Sequence, residues 1–233
     1  MSTDHVIAGQ IDYYRARAAE YDSWFNRTGR YDKGEAVNQA WFDEAAVVRA
    51  DLAGVPIDVA DVLELAPGTG IWTEQLVKRA RHVTAVDASP EMVDINRVRL
   101  GVDAGKVAYV IADLFAWEPA QTYDAVVFCF WISHIPQRLL DGFLSNVAQA
   151  LRPGGSVFFL DAQREPASQA IDHVLPDQGS EVMARKLDDG REFTIVKNFW
   201  EAADLERRCS AVGLDVEVRT TERFFMYGVG IKS

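Results

Sequence analysis

Two cysteines are all that the 233 residues contain, Cys129 in an apolar strand-like run and Cys209 in a helical one. They have no paired spacing, which excludes a disulfide scaffold and a thiolate zinc or redox motif and leaves buried, reduced thiols. Basic residues are in deficit: 24 Lys and Arg stand against 35 Asp and Glu, a formal charge of −11. Such a chain repels phosphate backbones at long range and offers no broad basic stripe for counter-ion release, so nucleic acid is not an expected partner. No apolar stretch approaches the roughly 20 residues that cross a bilayer. The opening MSTDHVIAGQ has neither the basic nor the apolar region of a secretion signal. A cytoplasmic protein without membrane attachment is expected. Linkers rich in Pro, Gly and Ser are missing, as are internal repeats, and the length suits one α/β domain with a full core.

What is present begins with DVLELAPGTGIWTE at 61–74. Val62, Leu63 and Leu65 suit a buried parallel strand. Glycine at 68 and 70 lets the chain turn sharply and press its backbone against a ligand, and the helix that follows aims its N-terminal amides there. A second apolar run, His82 to Val86, ends at Asp87, where the next strand of a doubly wound sheet sets a carboxylate against ribose hydroxyls. This spacing fits either a dinucleotide or an adenosyl ligand. Thr73 stands where a dinucleotide fingerprint has its third glycine, and Glu64 lies inside the strand. A third run, Val107 to Ala112, ends at Asp113-Leu114, an acid and an apolar residue suited to the exocyclic amine and the face of a purine.

Strand and helix patterns alternate, which favours a parallel sheet with crossover helices. Strands are predicted near 61–66, 82–87, 107–112, 124–130 and 155–161, with helices near 70–80, 90–100 and 137–151 between them. RPGG at 152–155 marks the turn into the fifth strand. Two helical stretches, about 7–22 and 34–53, precede the sheet and are expected to cap the ligand cleft. Further on, EVMARKL and REFTIVKNF flank Asp189-Gly190, the signal of a β-hairpin, read as an insertion beside the cleft. A helix at about 200–213 and two closing β segments, VEVRT and RFFMYGVGI, complete the chain.

LELAPGTG, VDASPEMV, ADL, YDAVVFCFWISHIP and ALRPGGSVFFLD, in this order and at these intervals, resemble the motif series of class I S-adenosylmethionine-dependent methyltransferases. The resemblance covers roughly residues 10–165 closely and the rest loosely. It implies a Rossmann-like α/β fold of three layers around a seven-stranded, mostly parallel sheet whose edge carries a reversed strand. The division it implies is a helical cap at 1–55, a cofactor-binding core at 56–165, and the hairpin insertion with closing strands at 166–233, all in a single domain.

The same resemblance implies site roles for S-adenosyl-L-methionine. Gly68 and Gly70 should allow close approach of its methionine part, with Glu64 near the ammonium; Asp87 should accept from both ribose hydroxyls. Ala88 and Met92 would pack around the adenine, Asp113 would accept from its amino group, and the Leu114 amide would face a ring nitrogen. In YYRARAAEYDSWF, Tyr14 and Tyr21 are seven apart and share a helix face. That segment resembles the family's lead-in, where a tyrosine reaches the cofactor's carboxylate. Phe130 should border the sulfonium, since aromatic faces favour cationic methyl groups.

Methyl transfer has no obligatory catalytic motif, because the sulfonium is already an activated leaving group. Positioning, water exclusion and, for a hydroxyl acceptor, removal of a proton suffice. His134, just past the fourth strand, is the first candidate base and Asp161, ending the fifth, the second; His173 reads as a solvated loop residue. Phe130-Trp131-Ile132-Ser133 replaces the Asn/Asp-Pro-Pro-Tyr run of enzymes that methylate adenine or glutamine amides. No carboxylate set for a metal is evident, and none is expected. Trp24, Phe25, Tyr31, Trp41, Trp131, Phe224, Phe225 and Tyr227 supply walls for an apolar acceptor pocket. The expected activity is methylation of an oxygen or nitrogen on a small, largely apolar or aromatic metabolite by a monomer or homodimer. The alternatives are other chemistry on the same cofactor (decarboxylation, cyclisation or modification of the cofactor itself) and a cofactor-binding protein without catalysis.

Overall fold

A computed structural model describes residues 3–233, with side chains from Val6 onward. Five strands run parallel, β1 (Asp61–Leu65), β2 (His82–Asp87), β3 (Val107–Ile111), β4 (Tyr123–Cys129) and β5 (Leu151–Ala162). The closing pair, β8 (Leu214–Thr220) and β9 (Phe225–Lys232), adds antiparallel, giving the seven-stranded order β3-β2-β1-β4-β5-β9-β8. Neighbours β1 and β4 leave the sheet to opposite sides, and a crevice opens at their carboxyl ends as in other open α/β sheets.

Each strand sends successive side chains to opposite faces. On one face Val62, Ala125, Val127 and Phe158 pack with α3 (Glu35–Gly54) through Trp41, Ala45, Val48 and Leu52. On the other, Leu63, Val126, Phe128 and Phe159 meet α6 (Gln137–Ala150) through Leu140, Phe143, Leu144 and Val147, and α7 (Ala202–Ala211) through Leu205 and Cys209. Both cysteines are buried and unpaired.

Several expectations are corrected. The stretch after Gly70 holds only four residues of regular helix, α4 (Thr73–Leu76). Its helical bonds give way to tighter turns, with Gln75 N–H donating to Trp72 and Arg79 N–H to Leu76. The turn at Arg79 coincides with its guanidinium reaching the carbonyls of Ala53 and Val55 and the Asp58 carboxylate at the end of α3. RPGG does not precede β5 but forms an excursion inside it: Tyr123 pairs with Leu151 and Ala125 with Ser156. Only the first N-terminal helix lies over the crevice. There α1 (Thr3–Arg17) packs on the hairpin β6 (Val182–Lys186) and β7 (Glu192–Val196), Tyr13 meeting Phe193 and Ile195. The second helix, α3, is instead a layer of the sandwich. A short helix, α2 (Tyr21–Phe25), links them, and α5 (Pro90–Leu100) follows β2 with Ser89 as its N-cap.

Candidate functional site

The carboxyl ends of β1, β2, β3 and β4 and the overlying α1 enclose a cleft of about 640 Å³, counting its open mouth. Among its lining residues are Tyr14, Tyr21, Gly68, Asp87, Ala88, Met92, Asp113, Leu114 and Phe130, all predicted from sequence. Trp131, expected as a wall of the acceptor pocket, joins them, as do Gln10, Ile11, Ser89, Phe115 and Cys129, which were not predicted. Gln10 had no local signature. Its amide donates to the His134 carbonyl and its oxygen accepts from Val196 N–H, tying α1 to the hairpin.

The turn after β1 is fixed by its neighbours. Asp87 accepts from Gly68 N–H at 3.0 Å and from Ser89 N–H at 2.8 Å, so the carboxylate spans both turns. Burial raises its pKa to about 6 despite those amides. Gly68 has φ +55, a left-handed conformation that favours glycine, and its free side faces open cleft. Gly70 does not line the cleft. A Cβ there would lie 2.8 Å from the Asn96 side chain, so glycine at 70 is required by packing against α5 and not by approach to a ligand. Thr69 Oγ1 donates to Asp22, and Arg99 holds both the Thr69 carbonyl and Asp22, which pins α2 and its Tyr21 beside the turn.

Behind the turn stands Glu64, only 1 % exposed, whose Oε2 has no hydrogen-bond partner among the described residues. Burial pushes its pKa up to about 8, against a hydrogen bond from Thr73 that lowers it. Glu64 borders a space shared with Tyr21, Trp24 and Phe130 that adjoins the main cleft. A carboxyl orphaned at that depth stays largely protonated at neutrality and would ionise against a cationic partner. Ala66 (φ +53) and Phe130 (φ +58) are non-glycine residues in left-handed backbone at the ends of β1 and β4, strain stored where both line the cleft.

Neither candidate base is free. His134 is buried with both ring nitrogens engaged, Nε2 with the Tyr14 hydroxyl at 2.7 Å and Nδ1 with the Val196 carbonyl at 2.8 Å. A carbonyl only accepts, so Nδ1 carries the proton and Nε2 accepts from Tyr14. Burial, helped by nearby Lys197, lowers its pKa to about 3. Asp161 accepts from Ser133 N–H, Ala162 N–H and Lys197 Nζ. Burial opposes its ionisation, but Lys197 and His134 together with those amides hold it below the usual carboxylate range. His134 therefore positions Tyr14 and the hairpin, and Asp161 anchors Lys197. His173, expected in solvent, packs by Tyr31 and accepts from Arg185. Of the expected aromatic walls, Trp24 meets Phe130 edge to face at 4.6 Å, whereas Trp41, Phe224 and Phe225 are core. No group of His, Cys, Asp and Glu suited to a metal ion occurs among the described residues.

Residues 62–155 match the family described as "Methyltransferase domain". The chain is 30% identical over 206 residues to a "Ubiquinone biosynthesis O-methyltransferase" of Xylella fastidiosa, covering 82% of this chain and 80% of that protein. The solved "DhpI-SAH complex structure" superposes with a TM-score of 0.79 at 34% identity, covering 100% of this chain and 99% of that one. The chain belongs to the class I S-adenosylmethionine-dependent methyltransferases. Its cofactor is S-adenosyl-L-methionine, consistent with that neighbour's complex. The glycopeptide N-methyltransferase MtfA, complexed with S-adenosylmethionine, shares the fold at 18% identity with a TM-score of 0.61. No helix of the described methyltransferase is long and apolar enough to cross a membrane.

Proposed function

We propose that this methyltransferase moves the methyl group of S-adenosylmethionine to an oxygen of a small molecule, with the cleft at the carboxyl ends of β1–β4 holding the cofactor. One observation carries the reading: Asp87 bridging two turns and the Asp113-Leu114 pair after β3 line one cleft, and the unpaired carboxyl of Glu64 borders the space that adjoins it. In this reading Glu64 faces the cofactor's ammonium and the Gly68 turn its methionine backbone. Asp87 accepts from the ribose hydroxyls, while Met92, Ala88 and Leu114 sandwich the adenine and Asp113 accepts from its amine. Tyr14 and Tyr21 close the carboxylate end. When bound, the cofactor supplies a methyl group already activated by the sulfonium.

The protein's part is to hold and to exclude water. Phe130 and Tyr21 line both the main cleft and a second space of about 410 Å³, counting its open mouth. Their shared position sets them at the boundary across which a methyl group would pass. The methyltransferase relatives favour catalysis over cofactor binding alone, and that second space is where an acceptor would enter. Oxygen is favoured over nitrogen by the O-methyltransferase relatives at 30% identity. The test is incubation with methyl-labelled S-adenosylmethionine and a small-metabolite extract. Label should appear in small organic products matched by S-adenosylhomocysteine; label confined to macromolecules, or homocysteine-type product without methyl gain, would contradict the proposal.

A further inference from the structure

The second space is lined by the aromatic residues Tyr14, Tyr21, Trp24 and Phe130 and by the cations Arg17, Arg185 and Lys197. The cations are 6 %, 8 % and 4 % exposed. Lys197 is paired with Asp161 at 3.2 Å and donates to Ser133 Oγ at 2.7 Å. The two arginines have no carboxylate partner among the described residues. A guanidinium offers five N–H donors. Among the described residues Arg17 makes one hydrogen bond, a 3.2 Å contact to the Tyr31 hydroxyl, and is otherwise surrounded by the rings of Tyr13, Tyr21 and Tyr31. Among the described residues every hydrogen bond of Arg185 runs through Nη1, to Gln169 Oε1 and His173 Nδ1. The Nε of each arginine is buried without a partner. Buried charge without a counter-ion is strongly unfavourable, and guanidinium forks match oxyanions in geometry. In a chain of net charge −11, the concentration of uncompensated cations at the cofactor's edge is not a consequence of composition.

We infer that the acceptor is a small oxyanion, a carboxylate or a phosphorus oxyacid, whose head is held by Arg17, Arg185 and Lys197 and whose ionised oxygen takes the methyl group. The inference rests on the proposed function and names its substrate class. It also accounts for the lack of a free base, since His134 and Asp161 are both committed to partners. A lone pair of the anionic oxygen forms the new O–C bond while the S–CH3 bond breaks toward sulfur. The sulfonium charge and one negative charge disappear together, the products are a methyl ester and S-adenosylhomocysteine, and no proton is released. The aromatic rings of the lining take the acceptor's carbon skeleton.

Calorimetry on the full-length protein decides it in two stages. S-adenosylhomocysteine is titrated first, and the loaded protein is then titrated with methylphosphonate, acetate and neutral acetamide. At least one acid should bind 10-fold or more tighter than acetamide, and which acid does so separates the two oxyanion classes. Arg185→Gln should weaken that acid at least 10-fold, Arg185→Lys should recover part of the loss, and both should keep wild-type affinity for S-adenosylhomocysteine. Equal binding of acids and acetamide, or undiminished acid binding in a folded Arg185→Gln, would overturn the inference alone. Failure of wild type to bind S-adenosylhomocysteine would overturn the proposed function with it.

Discussion

Binding of S-adenosylhomocysteine at pH 7 should expel on the order of one proton from the protein, and Glu64→Gln should abolish that release. The free protein holds Glu64 at a pKa of about 8, so the carboxyl is largely protonated at neutrality. An ammonium set against its unpaired Oε2 favours the charged form and returns the pKa toward the ordinary carboxylate range. Titration in buffers of different ionisation enthalpy measures the release directly. It should fade above about pH 9, where Glu64 is already ionised in the free protein. Stability of the free protein follows from the same shift. A folded pKa raised from 4.5 to about 8 gives a contribution that is complete below pH 4.5 and lost as pH rises through 8. The difference between wild type and Glu64→Gln should therefore change by up to about 5 kcal/mol across that window. Comparing the two proteins cancels the opposite trend of His134, whose folded pKa of about 3 makes its contribution fall away as pH drops below 6.5. Equal proton release by wild type and Glu64→Gln would remove Glu64 from the cofactor site.

Asp87→Ala should weaken S-adenosylhomocysteine binding about 10–150-fold, the equivalent of about 1.5–3 kcal/mol for losing hydrogen bonds to a charged acceptor. Asp87 also accepts the Gly68 and Ser89 amides, so the substitution loosens the turn itself. Asp87→Asn keeps one oxygen acceptor and should lose less. Thermal melts establish that both variants are folded before their affinities are compared. Wild-type affinity in a folded Asp87→Ala would show that the ribose is held elsewhere.

The sheet was legible because its strands are short apolar runs ended by turns whose residues have local causes. Val62–Leu65 before the Gly68 turn and His82–Val86 before Asp87 were read at or near their observed ends. The hairpin was equally plain from Asp189-Gly190 between two β-like runs. Tertiary contacts decided what periodicity could not. Apolar spacing through Ile71, Trp72, Leu76 and Val77 suits a long helix, yet α4 is one turn of Thr73–Leu76. The glycine pair looked equivalent in sequence, but Gly68 borders the cleft while Gly70 makes room for Asn96, a residue 26 positions away.

The cofactor side of the site was readable for the same local reason: Glu64 lies in β1, Asp87 ends β2 and Asp113 follows β3. The acceptor side was not. Arg17, Arg185 and Lys197 come from α1, β6 and the segment after β7, and each looks in sequence like a solvated surface cation. Only the packing of α1 against the hairpin buries them together. His134 shows the converse. Its place beyond β4 suited a base, but the folded hairpin supplies the Val196 carbonyl and α1 the Tyr14 hydroxyl, and both nitrogens are taken.

The central claim is that one cleft, built from the ends of β1 to β4, recognises an adenosyl-methionine cofactor. Calorimetric titration with S-adenosylhomocysteine, with NAD as the control ligand, tests it most directly. Micromolar binding of S-adenosylhomocysteine alone is the predicted result. Absence of that binding, or preference for NAD, would contradict the assignment of the cleft.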